Sequence, residues 1–184
     1  MIFVAFDLET TGLIDLRIDD PNYQPRITEL GAVKWGQIDT ELSLLVNPEI
    51  EISAEITRIT GIKNADCLEA PTFLASFYSI AKFFTGVDHL VTFNGKGYDL
   101  PVMMYNLRRY GLQYQFPWPR YHTDVMLSAN DYLGMQGKTG NKSPKLVELF
   151  HHLFNKEFEN AHRAINDAQA TKDCFQELQR RGVI

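Results

Sequence analysis

Three short stretches of this 184-residue chain carry acids and a histidine at spacings that could do chemistry. The first is FDLETTGL, Phe6 to Leu13, where Asp7 and Glu9 flank Leu8 at the end of an apolar run. Successive strand side chains point to opposite faces, so the two carboxylates leave the same face while Leu8 turns into the core. Like charges held so close are costly unless they meet solvent, a proton or a cation. The second stretch, FNGKGYDLP from Phe93 to Pro101, puts Asp99 after an Asn-Gly turn and in the first turn of a helix, where the helix dipole favours an anion. The third is HRAINDA, His162 to Ala168. Five helical positions rotate a side chain by about 140°, so His162 and Asp167 cannot share a helix face and His162 belongs at or before the helix start. An imidazole held there could take a proton from water, because its ordinary pKa lies near neutrality. Read singly, each stretch also fits a plain description: a solvated strand end, a helix-start acid, a surface pair.

The elements that must position these groups follow from periodicity. Ile2 to Leu8 is rich in β-formers and reads as a buried strand; Ile27 to Trp35 and Thr40 to Val46 read as two more, joined as a hairpin through Gly36-Gln37. Between the first two lies a polar loop, Ile14 to Arg26, whose Asp15, Asp19, Asp20, Pro21 and Pro25 exclude regular structure. Phe73, Phe77, Ile80, Ala81 and Phe84 recur on one helical face after Pro71. His89 to Phe93 is expected as a strand, Tyr98 to Tyr110 as a helix, and GMQGKTGNKS, Gly134 to Ser143, as a mobile loop. A final helix carries Ala164, Ala168, Thr171, Phe175 and Leu178 on one stripe and stops before Gly182. Strands first and then alternating strand and helix indicate an α/β fold, a sheet covered by helices.

Composition narrows the functional class. With 45% hydrophobic and 22% charged residues the chain can bury one substantial core, so a single domain over residues 1–184 is expected. Cys67 and Cys174 form no CxxC pair, which suggests neither a disulfide framework nor a zinc finger and fits a cytoplasmic location. The apolar start ends at Asp7, too short for a signal peptide, and no later stretch approaches a membrane span. A net charge of -5 argues against broad electrostatic capture of nucleic acid, though not against local contacts. His122, His151 and His152 have no metal-spaced partners and read as structural or surface groups.

Together, D-x-E, an Asp after Asn-Gly, and H-x4-D in that order resemble the DEDD exonuclease superfamily, in its DnaQ-like DEDDh branch. The matching residues are Asp7, Glu9, Asp99, His162 and Asp167, with ETTGL, ITELGAV and ITGI as supporting pieces in the family's order, over most of the chain from Ile2 to about Leu178. The histidine five before the last Asp separates the chain from the branch that uses a tyrosine four before it. Two features depart from the pattern: Tyr98 stands where the family usually has Phe, and the loop from Leu13 to Arg26 is longer than usual. The resemblance implies an RNase H-like fold, a mixed central β-sheet flanked by helices, and release of mononucleotides from a 3′ end. Four carboxylates are hard oxygen ligands suited to Mg²⁺ or Mn²⁺, and two such ions would offset their charges. The expected roles are Asp7 bridging both ions, Glu9, Asp99 and Asp167 completing their shells, and His162 as general base. Thr10, Thr11 and Leu13 are expected to line the terminal nucleotide, with Ile59, Thr60 and Asn94 as weaker candidates, and Lys138, Lys142, Lys145 and Arg163 to meet upstream phosphates. The expected partner is nucleic acid, DNA 3′ ends above all, with a polymerase or a repair or processing assembly as a further partner. An oligoribonuclease-like exoribonuclease uses the same five residues, since no group here identifies the 2′ hydroxyl. A weakly active nucleic-acid-binding module is the reading from another class; it has no need of four repelling acids. The short tail after the last helix suggests a stand-alone enzyme.

Overall fold

The computed structural model describes residues 1–133, 136–137, 140–141, 143–158 and 162–184. In chain order the elements are β1 (Phe3–Thr10), β2 (Ile27–Trp35), β3 (Thr40–Leu45), α1 (Ala54–Thr60), α2 (Asn64–Cys67), α3 (Phe73–Phe84), β4 (His89–Thr92), α4 (Asp99–Arg109), β5 (Tyr121–Asp124), α5 (Val125–Leu133), β6 (Gln136–Gly137), β7 (Gly140–Asn141), α6 (Leu146–Phe154) and α7 (Ala164–Arg180). Five strands form one sheet in the order β3-β2-β1-β4-β5. The β3-β2-β1 part is antiparallel, and β1-β4 and β4-β5 are parallel, so the sheet is mixed.

Strand parity sorts the core into two layers. Val4, Phe6 and Leu8 of β1 pack with Phe73, Ile80 and Phe84 of α3 and Val102, Met103 and Leu107 of α4. Phe3 and Ala5, on the other face, pack with Val125 and Ala129 of α5, Leu149 and Leu153 of α6, and Phe175 and Leu178 of α7. Asp7 and Glu9 continue the second series and therefore point toward the layer that carries α7. The stripe expected on the last helix is buried there: Ala164, Ala168, Thr171, Phe175 and Leu178 all face inward.

The expected strands and helices are present with small shifts of boundary. β1 runs to Thr10, with a register irregularity between Glu9 and Thr10 that turns the chain out of the sheet. The helix read from Tyr98 begins at Asp99, with Tyr98 as its cap residue. β5 was not expected, because its four residues sit in the proline- and aromatic-rich FPWPRYHTD and show no period of their own. Only the parallel pairing of His89–Thr92 with Tyr121–Asp124 makes it a strand. His122 lies in β5, its Nε2 2.9 Å from the Thr92 hydroxyl. Within the segment expected to be a mobile loop, β6 and β7 pair in antiparallel fashion; Lys138 and Lys142 lie outside the described residues.

The long loop after Leu13 is irregular and firmly held. Thr11 and Arg26 close its base, with Thr11 N–H donating to the Arg26 carbonyl at 2.9 Å and Arg26 N–H to the Thr11 hydroxyl at 3.0 Å. Asp19 pairs with Arg108 and the Arg109 guanidinium donates to the Gln24 carbonyl, so the loop is strapped to α4.

One glycine decides how closely α7 approaches the sheet. A Cβ built on Gly31 of β2 would lie 2.1 Å from Ala164 C and Ile165 N at the start of α7. Gly31 also pairs with Asp7 across the sheet, so the helix start is lowered onto the strand position beside the first acid. Gly31→Ala is expected to destabilise the fold by about 1–3 kcal/mol through overpacking at backbone that cannot yield. Chemical denaturation checks this: an unchanged midpoint would mean that α7 does not rest on Gly31.

Candidate active site

The carboxyl ends of β1 and β4 diverge, since their pairing extends only from Phe3–Ala5 to His89–Val91. Leu8 N–H is therefore without a β4 partner, and the Asp99 carboxylate takes it at 3.1 Å in a buried hydrogen bond. Asp99, only 4% exposed, reaches this gap because the turn before it is fixed. Asn94 adopts a left-handed conformation, φ 59°, and the buried Asp124 carboxylate accepts N–H bonds from Asn94 at 2.9 Å and Lys96 at 3.1 Å. Here the end of β5 holds the loop that aims the middle acid.

The start of α7 supplies the other half. His162, as expected, precedes the helix, with φ 69°, unusual for a residue bearing a side chain. Its N–H donates to Asp167 Oδ2 at 3.2 Å, so the carboxylate five residues on stabilises the bend that presents the imidazole. Asp167 Oδ1 is buried and has no hydrogen-bond partner among the described residues.

Beneath α7 lies a group that sequence reasoning did not single out. Glu29, 0% exposed, sits opposite Glu9 in the β1-β2 register. Its carboxylate receives the Arg163 guanidinium at 2.7 Å and the Ala164 N–H at 3.1 Å, capping α7 and balancing its own charge. Glu29 is visible within ITELGAV, yet its role depends on register and on α7, neither of which a sequence displays. Arg163, expected to meet phosphate, is engaged with Glu29 while half of its side chain stays exposed.

The result is a cleft of about 480 Å³ lined by Asp7, Asp99, His162 and Asp167 together with the apolar Phe93, Met126, Leu146 and Phe158. Glu9, His162 and Asp167 bring their ligand atoms within 4.8 Å of one another. Burial, reinforced by the charges of Asp99, Asp167, Glu9 and Glu29, holds the Asp7 carboxyl well above the ordinary carboxylate range. Glu9 is pushed up to about 8 by burial first and then by Asp167, Glu29 and Asp99, with Arg163 opposing. Burial also raises Asp99 against the Leu8 hydrogen bond, and Asp167 against the His162 N–H. An orphaned buried carboxylate oxygen, a convergent set of oxygen donors and suppressed ionisation together fit a divalent cation.

Among the residues expected near the terminal nucleotide, Asn94 borders the cleft. Thr10 is buried and its hydroxyl is engaged within the Thr10–Gly12 turn, whereas Leu13 is 88% exposed. Thr60 borders a cleft with Gly61, Ile62 and Arg163, and its hydroxyl donates to the Ile56 carbonyl of α1 and accepts from Ile62 N–H. Ile59 is exposed. Lys145, at the start of α6, lines the main cleft.

The profile of the family described as Exonuclease (RNase_T) matches residues 4–175. A Mycobacterium tuberculosis protein, to which both exonuclease and endonuclease activity are ascribed, is 34% identical over 178 residues, covering 96% of this chain and 26% of its own. The chain thus spans about a quarter of that relative. Three prime repair exonuclease 2 of Homo sapiens is 29% identical, with 90% of this chain and 78% of that protein covered. The structure of E. coli Exonuclease I in complex with a dT13 oligonucleotide superposes with a TM-score of 0.75 at 20% identity, covering 98% of this chain and 41% of that one, which establishes the shared RNase H-like fold.

The raised carboxyls set a pH dependence. Glu9, at 4.5 when unfolded, is protonated in both states below that value; between there and about 8 the unfolded chain loses the proton while the folded protein keeps it, so stability falls as pH rises. Thermal melts without metal should therefore drop across this window, and Mn²⁺ should raise the melting temperature most near its upper end, where the carboxyls release protons to the cation most readily. Melts indifferent to both pH and Mn²⁺ would contradict this account.

Proposed function

The chain belongs to the Exonuclease family, and from that membership we propose that it is a metal-dependent 3′-to-5′ exonuclease that releases mononucleotides from DNA 3′ ends. The observation that carries the proposal is the convergence of Asp7, Asp99, Asp167 and His162 on one cleft, with Glu9 within ligand reach of His162 and Asp167, at the end of a sheet where α/β folds gather ligands. Asp7, Glu9, Asp99 and Asp167 would hold two Mg²⁺ or Mn²⁺ ions. The chemistry such ions supply when bound is activation of a water nucleophile and neutralisation of charge on the leaving oxygen.

The protein's own contribution is to position and to move a proton. His162 Nδ1 or Nε2 accepts the proton of the attacking water, and the left-handed backbone held by Asp167 keeps the ring at the cleft edge. Asp99, clamped to Leu8 N–H, and Asp7, on the strand itself, cannot swing away from each other. The apolar lining, with Phe93, Met126, Leu146 and Phe158, suits the face of a nucleobase better than a paired duplex, which favours single-stranded or frayed ends. Lys145 at the rim is placed for a phosphate contact.

Incubation of 5′-labelled DNA and RNA oligonucleotides with Mg²⁺ tests the proposal. A ladder of shortened DNA products, abolished by chelator and by Asp7→Ala, is expected; internal cuts would exclude exonuclease action, and shortening of RNA alone would overturn the DNA assignment. His162→Ala should lose about 10²- to 10⁴-fold in rate while Mn²⁺ binding persists, and undiminished turnover would remove His162 from the role of base.

A further inference from the structure

Two consecutive residues at the start of α4 grip the end of β1 at alternate positions. Asp99 takes Leu8 N–H, and the Tyr98 hydroxyl meets both the Thr10 hydroxyl and the Gly12 carbonyl, the latter at 2.8 Å. The Thr10 hydroxyl also lies 2.8 Å from the Gly12 carbonyl, so two hydroxyls and one carbonyl close a ring of contacts around the turn. Beyond this ring the turn is tied through Thr11 to Arg26. A Cβ on Gly12 would meet no atom within 4 Å, and the next residue, Leu13, is 88% exposed. Tyr98 also borders the acidic cleft, so its ring spans from the carboxylates to the turn that follows them.

We propose that the Tyr98 hydroxyl is a positioning group that fixes the Thr10–Leu13 turn against the acid cluster and thereby sets the affinity for the terminal nucleotide; this rests on the exonuclease reading above. Where Phe occupies this position the ring is kept and the tie is lost, so in this chain the turn's geometry is set by a hydrogen bond added to packing. The Thr10 hydroxyl is the necessary partner of Tyr98, because the Gly12 carbonyl by itself leaves the Thr10 side unheld.

The test uses the full chain with Tyr98→Phe, Thr10→Val and the double substitution. Steady-state hydrolysis of a 5′-labelled oligothymidylate is expected to show KM raised about 3- to 10-fold by either single change, the effect of one lost hydrogen bond, with kcat falling by less than KM rises. The double variant should be little worse than either single one, because both break the same tie. Amide hydrogen exchange supplies a reading that does not need activity: Gly12, whose N–H faces the Thr10 hydroxyl, should exchange faster in Tyr98→Phe, while Leu30 and Ala32 in β2 keep wild-type protection. Unchanged KM together with unchanged exchange would overturn the proposal, as would a loss confined to kcat, which would put the hydroxyl in the chemistry. Were the wild type inactive on the oligonucleotide, the exonuclease reading would fall, and exchange at Gly12 would still decide whether the tie exists.

Discussion

Four carboxylates brought to the end of one strand repel one another, and a fold that assembles them must fix each from outside the cluster. That constraint explains why every acid here has a separate tether. Asp7 and Glu9 are held by β1 itself, Asp99 by the Leu8 N–H that β4 leaves unpaired, and Asp167 by the backbone N–H of His162. None of these tethers is a counter-charge inside the cleft. Arg163, whose charge reaches Glu9, is bonded to Glu29 beneath the helix start.

The same constraint accounts for the buried polar groups behind the site. Glu29, whose charge adds to the repulsion on Asp7 and Glu9, is held in place by Arg163 and by the first N–H of α7. Its burial turns a cost into a joint between sheet and helix, and Gly31, two residues on, provides the clearance that the joint needs. Asp124 does the corresponding work on the opposite side of the sheet, holding the Asn94–Lys96 turn from which Asp99 projects. Glu29 and Asp124 act at one remove from the cleft: they hold the backbone from which acids project. The apolar lining of the cleft comes from α5 and α6 and from Phe93 after β4, elements whose other faces build the core around Phe175.

The loop after Leu13 is irregular yet tied down at both its base and its middle. Its length adds residues beside the site without adding looseness, because Thr11 and Arg26 close its base and Asp19 and Gln24 bind it to α4. α4 thus supports both the loop and, through Tyr98 and Asp99, the end of β1. Among the described residues no helix is long and apolar enough to cross a membrane.

Much of this was legible in the sequence because it is local. Alternation along β1 put Asp7 and Glu9 on one face, helical rotation placed His162 ahead of its helix, and the Ala164-to-Leu178 stripe marked the buried side of α7. Each of these follows from a dihedral repeat within one element. What the sequence left undetermined depends on pairing between distant segments. β5 is a strand only because β4 lies beside it, and Glu29 is a cap only because register sets it under Ala164. Thr60, at the end of α1, borders a cleft with Gly61, Ile62 and Arg163, a placement that the packing of α1 against the sheet and not its motif decides. The sequence by itself determined which chemical groups the protein owns and which way each element faces. The tertiary structure decided their separation, their burial and hence the raised carboxyl pKa values, since desolvation and repulsion arise only when residues far apart in the chain share one cleft.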